Sequence, residues 1–202
     1  MKNRTCIIKR KTKETDICLK LNIDGKGKAK IDTGLGILDH MLELFAFHGF
    51  FDLELKARGD LKTGLHHLNE DIGIVLGDAF KKALKEKRGI RRFGFFGVPM
   101  EENFAQVALD INGRGYLKLT VEDLSDFSSD APEYSLKDLE HFLDSFCRHL
   151  GANFYIIIRA SLTKDLHSII EPVFKALGLA LDYATQLDSR RKEIPSTKGI
   201  ID

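Results

Sequence analysis

Over the first ninety residues, three short alternating runs precede a segment of helical spacing, a fourth alternating run and a longer helical segment. "TCIIKR", "DICLKLNI" and "GKAKID" carry β-branched residues punctuated by Lys, Asp and Gly and read as strands; "GILDHMLELFAFHG" has helical spacing up to Gly49; "FDLELKARG" alternates as a half-buried strand should. The next pattern predicts a helix over residues 67–88, burying Ile72, Leu76, Ala79, Phe80 and Ala83 on one face. Lys81, Lys82, Lys85, Lys87 and Arg88 crowd its last turns, where positive charge meets the negative end of the helix dipole, and Gly89 would end it.

The order then repeats. "RRFGFFGVP", "FAQVALDI" and "GYLKLTVE" read as strands, residues 136–149 as a helix, "NFYIIIRAS" as a strand and residues 169–187 as a helix. Shifted by 101 residues without gaps, the chain matches itself at 15 of the 49 positions from Leu35 to Ala83, including His40 with His141, His48 with His149, Arg58 with Arg159, His66 with His167 and Glu70 with Glu171. Such self-similarity marks an internal duplication, and two copies are too few for a solenoid. Three strands, helix, strand, helix, twice over, predicts an α+β fold of two four-stranded sheets, each with helices packed on one face. Residues 1–90 form the first repeat, 91–188 the second and 189–202 a C-terminal tail, and the repeats are expected to share one core in one globular unit. The least regular stretch is the polar "EDLSDFSSDAPEYS" before the second copy's first helix.

Composition narrows the partners. With 31 basic and 30 acidic residues interspersed, there is no basic stripe for nucleic acid or an anionic membrane surface, so a small-molecule partner is expected. Cys6, Cys18 and Cys147 are widely spaced and form no C-x-x-C pair, which points away from a disulfide scaffold or thiolate zinc site and toward a cytoplasmic location. The longest strongly apolar run is the five residues of "FYIII", too short to span a membrane, and the first residues carry no apolar signal segment.

The candidate chemistry lies in "LHHLNED" and "LHSIIEP". On a helix Glu70 stands near both His66 and His67, whereas adjacent histidines point about 100° apart and suit two different ions, or one each across an interface. Imidazole with carboxylate and no thiolate fits zinc, manganese or iron at a catalytic site. A histidine pair near a helix start also has a plainer reading as a polar cap, but its recurrence in frame with His40 and Glu70 favours ligation. In the second copy Ser168 replaces a histidine. Ser168-Ile-Ile-Glu171 spells a capping box, with Pro172 in the first turn, so Glu171 reads either as a cap or as a ligand. His48 and His149 are expected to be satisfied, partly buried helix-end histidines. Arg91, Arg92, Arg114, Ser196 and Lys198 are residue types that hold phosphate, though spacing alone does not unite them.

"TGLGILDHMLELFAFHGFFDL", "HHLNEDIGIVLG", "KRGIRRFG", "VALDINGRGYL", "EPVFKALGLAL" and "IPSTKGII" together resemble, in order and almost end to end, the imidazoleglycerol-phosphate dehydratases of histidine biosynthesis. The resemblance implies a duplicated fold like domain 2 of ribosomal protein S5 and a homo-oligomer of 24 copies built from trimers. It also implies active sites at subunit interfaces, each with two manganese ions. One ion would take His66, Glu70, His141 and His167; the other His40, His67, the residue at 168 and Glu171. Glu14, Arg92, Arg114, Ser196 and Lys198 would hold a phosphorylated imidazole, the last four around its phosphate, with Glu171 or Glu14 carrying protons. The chain departs from the family pattern at Ser168 for histidine, Pro172 for alanine, Gly64-Leu65 for an acidic pair, Leu68-Asn69 for Thr-Val and an isoleucine within "YIII" for a histidine. Two expectations compete: an active hydro-lyase with one ion short of a ligand, and a catalytically impaired member that keeps the assembly and part of the metal or phosphate site. A mononuclear metallohydrolase is disfavoured, since no base and nucleophile set accompanies the ligands.

Overall fold

The computed structural model describes residues 4–61, 64–122, 134–160 and 165–201. Most of the polar stretch before the third helix, residues 123–133, lies outside these. The elements follow the repeated order: β1 (Thr5–Lys11), β2 (Thr15–Asn22), β3 (Ala29–Asp32), α1 (Gly36–His48), β4 (Asp52–Gly59) and α2 (His66–Leu84), then β5 (Phe93–Met100), β6 (Asn103–Asp110), β7 (Tyr116–Glu122), α3 (Leu136–Leu150), β8 (Asn153–Arg159) and α4 (Leu166–Thr185). The fold is α+β with two four-stranded sheets, ordered β1-β2-β4-β3 and β5-β6-β8-β7. In each sheet the first two strands and the last form antiparallel pairs, while the third strand runs parallel to the fourth across a helical crossover.

Alternation decides which sheet face is dry. Along β2, Thr15, Ile17, Leu19 and Leu21 are buried while Asp16 and Lys20 face solvent. Helices α2 and α4 cover the inner faces of the first and second sheets, and the two halves meet helix to helix, α2 on α3 and α1 on α4. One continuous apolar cluster runs through both halves, from Ile8 to Ala184.

The duplication is visible at that seam as a local twofold relation. A Cβ on Gly77 would lie 2.6 Å from the Phe146 carbonyl oxygen, and one on Gly178 would lie 2.5 Å from that of Phe45. Both pairs are related by the same shift of 101, so each repeat lends the other a glycine where the helix backbones cross. The Phe45 and Phe146 rings, also 101 apart, meet edge to face at 6.0 Å.

Two helix boundaries correct the sequence reading. Helix α2 stops at Leu84 instead of reaching Arg88: "KEKR" offers nothing apolar to bury, and Lys85 and Lys87 take positive φ values. The segment is held instead by the C-terminal region, with the Gly89 amide donating to the Glu193 carbonyl and Ile90 bridging to Leu187. Helix α4 starts at Leu166, earlier than expected, because Asp165 is its cap. The Asp165 carboxylate accepts from the amides of His167 (3.0 Å) and Ser168 (3.3 Å), so the Ser168–Glu171 capping box does not form and Pro172 falls in the second turn. A true capping box, unforeseen from the sequence, joins Ser135 and Asp138 at the head of α3.

Cys147 is fully buried in α3, and that burial pushes its thiol up to about 12. Cys6 and Cys18 are only half-buried on the first sheet. Iodoacetamide at pH 8 is therefore expected to label those two well ahead of Cys147, which reacts only as the chain opens; peptide mass spectrometry reads the order, and early labelling of Cys147 would contradict the packing.

Candidate active site

Helices α1 and α4 bring together His40, His167 and Glu171, whose donor atoms all lie within 4.8 Å of one another. His167 Nε2 is 2.7 Å from Glu171 Oε2 and His40 Nε2 is 3.5 Å from the same oxygen. His167 and Glu171 are one helical turn apart, which stacks them on one face of α4. The pseudo-equivalent set, His66, Glu70 and His141, forms where α2 meets α3. Its His66 turns Nε2 toward Glu70 at 3.4 Å and Nδ1 toward His141 Nδ1 at 3.1 Å. A shift of 101 carries His40 to His141, His66 to His167 and Glu70 to Glu171, so the two sets are counterparts in sequence; among the described residues only the first brings one donor atom from each residue within 4.8 Å of the others.

Within one chain the grouping differs from the ligand split that the resemblance implies for sites at subunit interfaces. Within the chain His167 accompanies His40 and Glu171, not His66, Glu70 and His141, because the duplication obliges each cluster to take one residue from the first helix of one repeat and two from the second helix of the other. His67 and position 168, which the shift pairs, belong to neither cluster. His67 is half exposed, its Nδ1 4.0 Å from Glu14 Oε2 at the tip of the β1–β2 hairpin. Ser168 is buried, 6 % exposed. Its hydroxyl donates to the Asp165 carbonyl (3.0 Å) and accepts from Asn103 Nδ2 (3.2 Å). The substitution thus removes no donor from either three-residue cluster.

Two imidazoles and a carboxylate, without thiolate, fit a divalent cation of the manganese, iron or zinc class. Burial pushes the Glu171 carboxyl up, but Lys175, 2.5 Å from Oε1, and His167 outweigh it and hold the group below the usual carboxylate range. Glu171 is therefore ionised at neutral pH, as a ligand or a base requires. Lys175 went unnoticed in the sequence, although its position one turn after Glu171 was a usable signal. The helix-end histidines take no part: His149 Nδ1 lies 3.1 Å from Asp78, and His48 is pushed down by burial and by Lys175.

The basic residues that spacing could not unite line one cavity of about 390 Å³: Arg92, Arg114, Ser196 and Lys198, with Asn112 and Thr197. Arg92 is aimed by a two-pronged bond to Asp110 (2.6 and 3.0 Å), while its Nη1 donates to the Pro195 carbonyl at 2.8 Å and so ties the tail to the second sheet. The tail turns back on itself, Gly199 donating to the Ser196 carbonyl and the Lys198 amide to the Ser196 hydroxyl. Arg91 does not join them; its guanidinium stacks on Tyr183 at 4.2 Å. None of the clustered histidines lines this cavity.

A duplicated α+β chain with a histidine–carboxylate cluster fit for a metal ion and a basic cavity lined by its own tail has the features of a metal-dependent enzyme acting on a phosphorylated small molecule. The chain belongs to the imidazoleglycerol-phosphate dehydratase family, whose model matches residues 33–181. It is 49% identical over 198 residues to the imidazoleglycerol-phosphate dehydratase of Methanocella arvoryzae, covering 98% of this chain and 100% of that one, and 48% identical, with the same coverage, to that of a Thermoanaerobacter species. Among solved structures, IGPD from Pyrococcus furiosus in complex with (S)-C348 superposes with a TM-score of 0.78 at 35% identity, over 96% of this chain and 99% of that one. The enzyme of Staphylococcus aureus gives 0.77 at 30%, over 91% and 99%.

Proposed function

We propose that this protein dehydrates imidazoleglycerol phosphate to imidazole acetol phosphate, a hydro-lyase step of histidine biosynthesis, with manganese as its metal. The observation that carries the reading is the His40–His167–Glu171 cluster in a chain of this family. Arg92, Arg114, Ser196 and Lys198 grip the phosphate, fixing the glycerol chain by its far end. Glu171 removes a carbon-bound proton from that chain, Glu14 carries a proton to the neighbouring hydroxyl as it leaves as water, and the enol becomes the ketone. His40, His67, His66, Glu70, His141, His167 and Glu171 would hold two divalent ions, which would supply Lewis acidity to the bound imidazole.

The cavity for the phosphate and the histidine clusters share no residue, and His67 and Glu14 face outward, more than half exposed. Both features suit active sites completed between subunits of a cytoplasmic 24-copy assembly of trimers. The alternative reading, an impaired family member, draws on the loss of a ligand at position 168; against it stands the His40–His167–Glu171 cluster, whose three donors are all present. Purified protein with added manganese is expected to turn over imidazoleglycerol phosphate and to stop on chelation. Elemental analysis should count up to two manganese per chain; an absence of turnover at every metal concentration overturns the proposal.

Lys198→Ala removes one charge-assisted phosphate contact. Such bonds contribute about 1.5–3 kcal/mol, so KM is expected to rise roughly 10- to 150-fold with a smaller change in kcat. Steady-state kinetics decide it: an unchanged KM removes the tail from the phosphate site.

A further inference from the structure

Pro172 sits inside α4, where an ordinary residue would donate its amide to the carbonyl of residue 168. Proline has no such hydrogen, and its ring crowds that carbonyl. The freed oxygen is nevertheless satisfied: Asn103 Nδ2 donates to the Ser168 carbonyl at 3.2 Å and to the Ser168 hydroxyl at 3.2 Å. Asn103 is buried, 2 % exposed, at the first position of β6. The Ser168 hydroxyl has its proton committed to the Asp165 carbonyl and one lone pair committed to Asn103. A buried hydroxyl so engaged is a poor cation ligand, since coordination would strand the Asn103 amide hydrogen.

The first repeat has the same device with different chemistry. Asp16 pairs with Arg58 and Phe104 with Arg159, which makes Thr15 and Asn103 equivalent as the first residues of their strands. The Thr15 hydroxyl donates to Asp71 at 2.5 Å, and Asp71 is the residue that the shift of 101 pairs with Pro172. In both repeats, then, the leading residue of the second strand pins the early turns of the metal-bearing helix.

We propose that Asn103, Ser168 and Pro172 act as one unit in which Asn103 replaces the helix hydrogen bond that Pro172 deletes, making Asn103 a positioning residue for His167 and Glu171 and leaving Ser168 outside the metal coordination sphere. His167 and Glu171 flank Ser168 along the first turns of α4, so the bond that holds this carbonyl also steadies the backbone that carries both donors. This inference rests on the metal reading of the cluster only for its readout.

The test is manganese binding to the whole protein, titrated by electron paramagnetic resonance, with the thermal midpoint measured in parallel. Ser168→Ala is expected to keep manganese affinity within about twofold of wild type; a tenfold loss or more makes Ser168 a ligand and overturns the proposal. Asn103→Ala is expected to weaken manganese binding and lower Tm. In a Pro172→Ala background, where the helical bond is restored, the same change should cost clearly less in both. Equal losses in the two backgrounds overturn the coupling. If wild-type protein takes up no manganese, the metal reading fails, and the thermal-midpoint cycle still decides whether Asn103 compensates for Pro172.

Discussion

Glu171→Gln is expected to lower kcat by about 10²- to 10⁴-fold, the range that a positioned proton-transfer group contributes. The substitution keeps shape but removes the charge. His167 and Lys175 both donate toward the Glu171 carboxylate, and His40 lies 3.5 Å from it, so an amide leaves Lys175 without its counter-charge and offers a metal a weaker donor. Two measurements separate the roles. If manganese binding falls with turnover, Glu171 acts chiefly as a ligand; if manganese stays bound and turnover is lost, it acts as the proton carrier. Turnover within tenfold of wild type would exclude it from both.

Phe146→Ala is expected to destabilise the fold by about 3–5 kcal/mol, the usual cost of emptying a buried phenylalanine site. Phe146 is fully buried and its ring meets Phe45 at 6.0 Å, Phe80 at 5.8 Å, Phe154 at 5.4 Å and Phe142 at 6.1 Å. Phe45 and Phe80 belong to the first repeat, so the hole opens at the seam between halves. Relaxation cannot close it readily, because Gly77 already brings the α2 backbone against the Phe146 carbonyl. Chemical denaturation at one fixed protein concentration should show a lower midpoint and still a single transition, since both halves share the core. Two separated transitions, or a loss under about 1 kcal/mol, would mean that the repeats fold independently.

Helix α3 and the strands were legible because period decides them: Ile17, Leu19 and Leu21 alternate, and Leu139, Phe142, Leu143 and Phe146 recur at helical spacing. The duplication was legible for a different reason, since gap-free identity needs no structure to detect. What misled was the local grammar of helix ends. Ser168 and Glu171 satisfy the spelling of a capping box, but Asp165 accepts the free amides three residues earlier, and a helix has one N-cap. The basic run after Leu84 likewise looked like a helix end, but Lys85 and Lys87 leave helical angles and the following Gly89 pairs with the C-terminal region.

The sequence by itself determined the repeated element order, the α+β class and the residue types at the site, because each follows from spacing along one chain or from identity between two stretches of it. Only the tertiary structure decided which histidines meet. His40 and Glu171 are 131 positions apart, yet the twofold seam sets α1 on α4 and brings them within 3.5 Å. It likewise gathered Arg92, Arg114 and Lys198 into one cavity, through an Asp110 and a Pro195 carbonyl that no motif advertises. Contacts between distant segments depend on how buried faces dock, and a chain read in order carries the faces but not their pairing.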